Sequence, residues 1–260
     1  MLGLASTISS SSTPESKYSL TFDGADDFID LGTGISLGTG DFTISLWVKT
    51  DDFHNKFFIA EYFDGENRWY VRGNDHNPPR LHMYQEIDEA GHTIFVGSSI
   101  SLDDHQNAWT HLVISADRDG KVVGYVNGVA DTADKNGEAT SLTTTANTRI
   151  AKYASSTYSN FQMANVAIWN AALDANNVTA IYNSGRPTNL TFDNGNYNNS
   201  SALQAYYRMG NGTFDDKANG AVHDQHAPGF GSDVVTDGDF PSLDNWDELN
   251  EGGDNQVTLV

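Results

Sequence analysis

AWTHLVISADRDGKVVGYVNG, residues 108–128, holds two runs rich in apolar, β-branched and aromatic side chains, 108–116 and 121–127, around Asp119-Gly120, and closes on Asn127-Gly128. Such dipeptides tolerate the positive φ that two-residue hairpin loops require, so 109–131 reads as consecutive antiparallel hairpins. Outward from there the period stays at two. Tyr18, Leu20 and Phe22 alternate with Ser19 and Thr21, and Phe42, Ile44, Leu46 and Val48 alternate with Thr43, Ser45, Trp47 and Lys49, as half-buried strands do. Further strands are expected at 56–63, 67–73, 80–86, 92–98, 148–152 and 160–169, with Gly, Asn and Asp between them. This spacing predicts an all-β chain folded as an antiparallel β-sandwich.

One short helix interrupts the pattern near 174–184. Asp174 can cap the first amides of ANNVTAIYNS, and Gly185 with Pro187 ends it. LQAYYRMG at 203–210 reads as one more strand, giving a sandwich over 18–210 and a linker over 211–232. The segment 233–260 starts with VVTDGDF and ends on the alternation Val257, Leu259, Val260. It reads as the start of a second β module or as a tail completed by a partner chain. At the other end, 1–17 joins an apolar tip (Met1, Leu2, Leu4, Ile8) to a serine run and reads as a flexible arm, either frayed or docking on a larger assembly.

The 260 residues carry 14 Lys and Arg against 35 Asp and Glu, a formal charge of -21. Nucleic-acid binders need clustered cations, so nucleic acid is not an expected partner. With no Cys, thiol catalysis, thiolate metal sites and disulfide stapling are excluded, and the fold must rest on core packing. No stretch is apolar enough for membrane insertion, and the first residues lack the basic and apolar regions of a secretory signal.

Residues 62–84 gather side chains suited to sugar recognition, where aromatic faces stack on C–H surfaces and polar groups bind hydroxyls. The candidates are Tyr62, Asp64, Asn67, Arg68, Trp69, Asp75, His76 and Tyr84, with Tyr70 and Asn74 beside them. Since Trp69 and Tyr70 are consecutive in one strand, one of the two must face inward. Core packing is expected of Trp47, Trp109 and Trp169. Asp23, Gly24, Asp26 and Asp27 have the composition of a tight Asx-type turn.

Four segments in order, YSLTFDGADDFIDLG (18–32), GDFTISLWVKT (40–50), the opening 108–128 stretch and MANVAIWNAALDANNVTAIYNSG (163–185), resemble the laminin-G-like branch of the concanavalin A-like lectin/glucanase superfamily. The resemblance implies a jelly-roll sandwich and calcium near the FDG turn, on Asp23, Gly24 and Asp27 or Asp30. Ala164 and Asn165 stand where relatives carry an Asp. A related branch, the family 16 glycoside hydrolases, uses Glu-x-Asp-x-x-Glu to supply two carboxyls from one strand face. Glu86-Ile87-Asp88 starts that pattern, and Gly91 replaces its last Glu. No catalytic residue is therefore assigned. The LQAYYRMGNG strand, the VVTDGDF segment with Trp246, the MLGL start and the serine arm together look like virion surface proteins of tailed bacteriophages. That likeness implies a homo-oligomer held to capsid or tail proteins by the arm, displaying a lectin-like domain to host or environmental polysaccharide. The alternative reading is a calcium-assisted extracellular lectin.

Overall fold

The computed structural model describes residues 18–33, 35, 37–62, 68–87, 90–133, 135–137, 141–142, 146–212, 215, 222–226, 235–236 and 246–248. Its strands in chain order are β1 (Tyr18–Asp23), β2 (Ile29–Asp30), β3 (Phe42–Lys49), β4 (Phe57–Tyr62), β5 (Arg68–Gly73), β6 (Leu81–Ile87), β7 (Ala90–Val96), β8 (Thr110–Ala116) and β9 (Lys121–Val126). They continue with β10 (Val129–Ala130), β11 (Lys135–Asn136), β12 (Thr148–Ile150), β13 (Lys152–Tyr153), β14 (Thr157–Tyr158), β15 (Asn160–Trp169), β16 (Leu203–Tyr207), β17 (Val235–Thr236) and β18 (Trp246–Glu248). One sheet runs β10-β9-β8-β3-β15-β1-β18, with β11 on β9 and β16 on β15; the other runs β17-β2-β12-β4-β5-β6-β7. A separate pair joins β13 and β14. The expected antiparallel sandwich with one short helix is the fold.

The core fills the space between the two sheets. Leu20 and Phe22 of β1, Ile44, Leu46 and Val48 of β3 and Met163, Val166 and Ile168 of β15 meet Phe58 and Ile59 of β4, Trp69 and Val71 of β5 and Leu81 and Met83 of β6. Fully burying side chains of this size stabilises the fold by about 1.5–3 kcal/mol each. A second apolar cluster lies on the far face of the first sheet, where Val178 and Ile181 pack with Trp169, Leu190, Tyr197 and Tyr206. Both faces of β3 are therefore covered, where its alternation predicts one face in water. The polar residues on the covered side find internal partners: Thr43 Oγ1 donates to Ala171 O at 2.8 Å, and Ser45 Oγ and His111 Nε2 lie 2.8 Å apart.

The helix responsible is α1 (Ala175–Tyr182). Asp174 caps it by accepting from Asn177 N at 2.8 Å, as expected. Its end departs from expectation, because Asn183, at φ 45°, already takes the left-handed position assigned to Gly185. Asn127 and Gly128, both at positive φ, form the expected two-residue turn with Val126 opposite Val129. Asp119-Gly120 does not: residues 117–120 make a four-residue loop, with Asp117 N donating to Lys121 O. Trp47 and Trp169 are buried, whereas Trp109 is only half-buried.

The strand expected at 203–210 is present as β16 on β15. Beyond it, Val235–Thr236 pairs with β2 and Trp246–Glu248 with β1, so each sheet gains an edge strand from the segment 233–260. The arm, 1–17, and most of the linker and tail lie outside the described residues.

Candidate functional site

The outward face of the second sheet is a grid set by strand register. One row aligns Tyr62, Arg68 and Glu86 across β4, β5 and β6. The next aligns Arg149, Ala60, Tyr70, Tyr84 and Thr93. A third aligns Phe57, Arg72, His82 and Val96. The period of two puts Arg68, Tyr70 and Arg72 outward while Trp69 and Val71 enter the core. In β4 the register shifts between Phe57 and Ile59, so Phe58 and Ile59 both enter the core and Phe57 and Ala60 share the outward cluster.

Aromatic rings occupy the middle of this face. Tyr70 and Tyr84 stack at 5.4 Å, and Phe57 stacks on Tyr153 at 4.3 Å. Tyr153 meets Tyr62 and Tyr70 edge-on, each at 5.2 Å. Tyr70 and Phe57 are nearly buried, whereas Tyr62, Tyr84, Tyr153 and His82 are half-buried and offer open ring surface.

Three arginines border the rings, and each meets a carboxylate. Arg68 forms a close ion pair with Glu86 Oε2, which also accepts from Tyr84 Oη at 3.3 Å. Arg149 Nε donates to Asp30 Oδ2 at 3.1 Å. The Arg72 guanidinium sits about 5.3 Å over Tyr70, donates to Asn55 Oδ1 at 2.8 Å and lies 3.8 Å from Asp75 Oδ1. Its Nε points at His82 Nδ1, 3.4 Å away, which makes that nitrogen the acceptor of a neutral ring. Burial, helped by the Arg72 charge, pushes the His82 pKa down to about 4. Burial also raises Tyr70, Tyr84 and Tyr153, the last to about 12, with Glu86 adding to the shift of Tyr84. Tyr70, Tyr84 and Tyr153 are uncharged phenols and His82 a neutral imidazole near pH 7.

The FDG turn forms a second cluster. Carboxylate oxygens of Asp23, Asp26 and Asp27 lie within 4.8 Å of one another. Asp27 Oδ2 accepts from Asp23 N at 3.0 Å, and Asp23 Oδ1 from Ala25 N at 2.7 Å, the internal bonds of an Asx turn. Gly24 holds φ 80°, with Asn160 against the place a Cβ would take. An all-oxygen donor set suits a hard cation such as calcium, so these residues fit the ion in kind. Asp30 lies outside this cluster and pairs with Arg149. Asn165, expected as a departure, accepts from Tyr206 Oη at 3.2 Å.

A laminin-G family profile, described as the concanavalin A-like lectin/glucanases superfamily, matches residues 23–179. The chain belongs to this superfamily. Two solved structures agree in fold: a native heptameric SAP-like pentraxin from Limulus polyphemus (10% identity, TM-score 0.53, covering 86% of this chain and 96% of that one), and a candidate carbohydrate-binding protein from Bacteroides ovatus ATCC 8483 (16% identity, TM-score 0.55, covering 86% and 58%). A search of curated proteins returned no match.

Measured against this lectin-like sandwich, the residues singled out from sequence divide into groups. Tyr62, Arg68 and Tyr84 share the aromatic face, and Asp75 stands at its rim beside Arg72. His76 is exposed in the same loop, its backbone N donating to Asn74 Oδ1 at 3.2 Å. Trp69 is fully buried between the sheets, the inward member of the Trp69-Tyr70 pair. Asp64, Asn67 and Asp88 lie outside the described residues. Phe57, Arg72, His82 and Tyr153 complete the face and were not legible as a group, because only the register of three strands and the return of β13 brings them together. Gly91 has a structural reason: a side chain there would strike the Tyr84 hydroxyl, which needs that space to reach Glu86. The place of the last glutamate in the glucanase pattern is thus taken by a tyrosine ring.

Proposed function

We propose that this lectin-like domain binds carbohydrate on the outward face of its second sheet, without hydrolysing it. The observation that carries the reading is the set of open rings of Tyr62, Tyr84 and Tyr153 beside the Arg68–Glu86 pair. Rings of this kind present apolar area to sugar C–H faces, and the ion pair offers a donor and an acceptor to hydroxyls. The neighbour from Bacteroides ovatus carries a name that refers to carbohydrate binding, which agrees with the reading. Calcium, where bound, would be held by Asp23, Asp26 and Asp27, on a different turn from the rings. It would neutralise those carboxylates and brace the turn.

Affinity electrophoresis in polysaccharide gels tests this. Tyr62→Ala and Tyr84→Ala are each expected to weaken retention about tenfold, which corresponds to ~1.4 kcal/mol, at unchanged circular dichroism. Repeating the run with EDTA reports whether calcium contributes. Wild-type retention by both variants would remove this face from the function.

The wider setting we propose is the surface of a virus particle, with 1–17 as anchor and the sandwich outward; this rests on the sequence resemblance. Mass analysis of purified particles should find the chain at fixed stoichiometry, and its absence from particles would leave the extracellular lectin.

A further inference from the structure

We infer that the sugar taken by this face is electrically neutral, a polymer without carboxylate or sulfate groups; the inference rests on the reading of the face as a carbohydrate site. The chemistry lies in how its charges are spent. Arg68 is matched by Glu86, Arg149 by Asp30 and Arg72 by Asp75. Among the described residues each arginine of the face thus meets a carboxylate, and the Lys152 ammonium lies 3.7 Å over the Phe28 ring. Nδ1 of His82 serves as an acceptor for Arg72, so the ring adds no cation.

An acidic sugar that reached Arg68 would have to displace Glu86. The side chains of that pair are only 22% and 16% exposed, so the displaced carboxylate would stay half-buried beside the incoming anion. Losing the partner of a partly buried charge is costly, and like charges side by side add to that cost. A hydroxyl meets no such penalty. Glu86 Oε2 is occupied by Arg68 and Tyr84, while Oε1 has no partner among the described residues and can accept a sugar O–H. At longer range the formal charge of -21 repels polyanions from the whole molecule.

The test compares one backbone in three charge states. Dextran, carboxymethyl-dextran and dextran sulfate, with laminarin and galactomannan as further neutral probes, are titrated against the full chain in 20 and 300 mM NaCl. We expect binding to at least one neutral polymer that changes less than twofold with salt, and at least tenfold weaker binding of the charged dextrans. Tighter binding of the carboxymethylated or sulfated form, fading at 300 mM salt, would overturn the inference and leave the carbohydrate reading standing. No binding to any probe would overturn both. Glu86→Gln supplies an independent arm. Removing the carboxylate while keeping its shape takes away the negative charge that opposes an anion beside Arg68, so binding of dextran sulfate should rise several-fold; a variant that gains nothing for the sulfated polymer also counts against the inference.

Discussion

Gln85 stands opposite Trp69 inside the sandwich, fully buried, and neither polar atom of its amide nor Trp69 Nε1 makes a hydrogen bond among the described residues. A buried amide without partners forfeits its hydration and gains nothing in return, at a cost of about 1–3 kcal/mol. Gln85→Met keeps the length and replaces the amide with a thioether, so urea unfolding should show a gain of about that size. A loss of stability would reveal an internal partner for the amide. His111 poses a related problem with a different sign. Burial pushes its pKa down to about 3, and its ring lies in a three-ring cluster with Trp47 and Tyr182, with Ser45 on Nε2. In the unfolded chain a histidine titrates near 6.5. Between those values only the unfolded state takes up the proton, so the contribution is intact above pH 6.5 and declines as pH falls, by up to about 1.4 kcal/mol per unit. His82 is shifted the same way, to about 4, and steepens the decline. Unfolding free energies at pH 7.5, 6.5 and 5.5 should trace it, and His111→Gln should flatten the slope by roughly one histidine's share. An unchanged slope would mean that His111 is not held neutral.

At the level of elements, the alternation in β1 and β3, the two apolar runs that become β8 and β9 and the Asn127-Gly128 turn were legible because neighbours in sequence determine each. The same holds for Asp174, whose side chain reaches an amide only three residues on. Features set by remote partners were not. Nothing in KFFIAEYF discloses the register shift that turns Phe57 and Ala60 to one side, since the shift depends on how β4 meets β5. Tyr153 enters the face from a segment some 70 residues after Tyr84, at a bend where Ala151 holds φ 64°. Composition also hid the work of single acids. In a chain with 35 of them, Asp131 reads as one more solvated carboxylate. It accepts from the backbone amides of Ser98, Ser99, Ile100 and Ala133. Burial acts to raise its pKa, and those amides overcome that and hold it low. The aromatic face itself was half legible: the run at 62–84 signals rings and charges, and only pairing across strands separates Tyr70, outward, from Trp69, inward.

For the whole molecule, the open question of the segment 233–260 becomes a question about sheet edges. Tyr18, Ser19 and Leu20 of β1 oppose Glu248, Asp247 and Trp246, and Ile29 and Asp30 of β2 oppose Thr236 and Val235. One short segment thus covers an edge of each sheet, which an independent module tethered by a linker would not do. We propose that it is an integral part of the sandwich. Uncovered edges present unpaired N–H and C=O groups that recruit other chains. A chain ending after His226 should therefore lose about 2 kcal/mol, from several ladder hydrogen bonds at 0.5–1.5 kcal/mol each. For a domain of this size that is a fall in Tm of roughly 4–8 °C. The shortened chain should also associate as its concentration rises, which sedimentation velocity would register. Its polysaccharide binding should persist, because β4, β5 and β6 lie away from both edges. If the tail is instead a separate module, calorimetry of the full chain will show a second transition that truncation removes, with the first left at its original temperature.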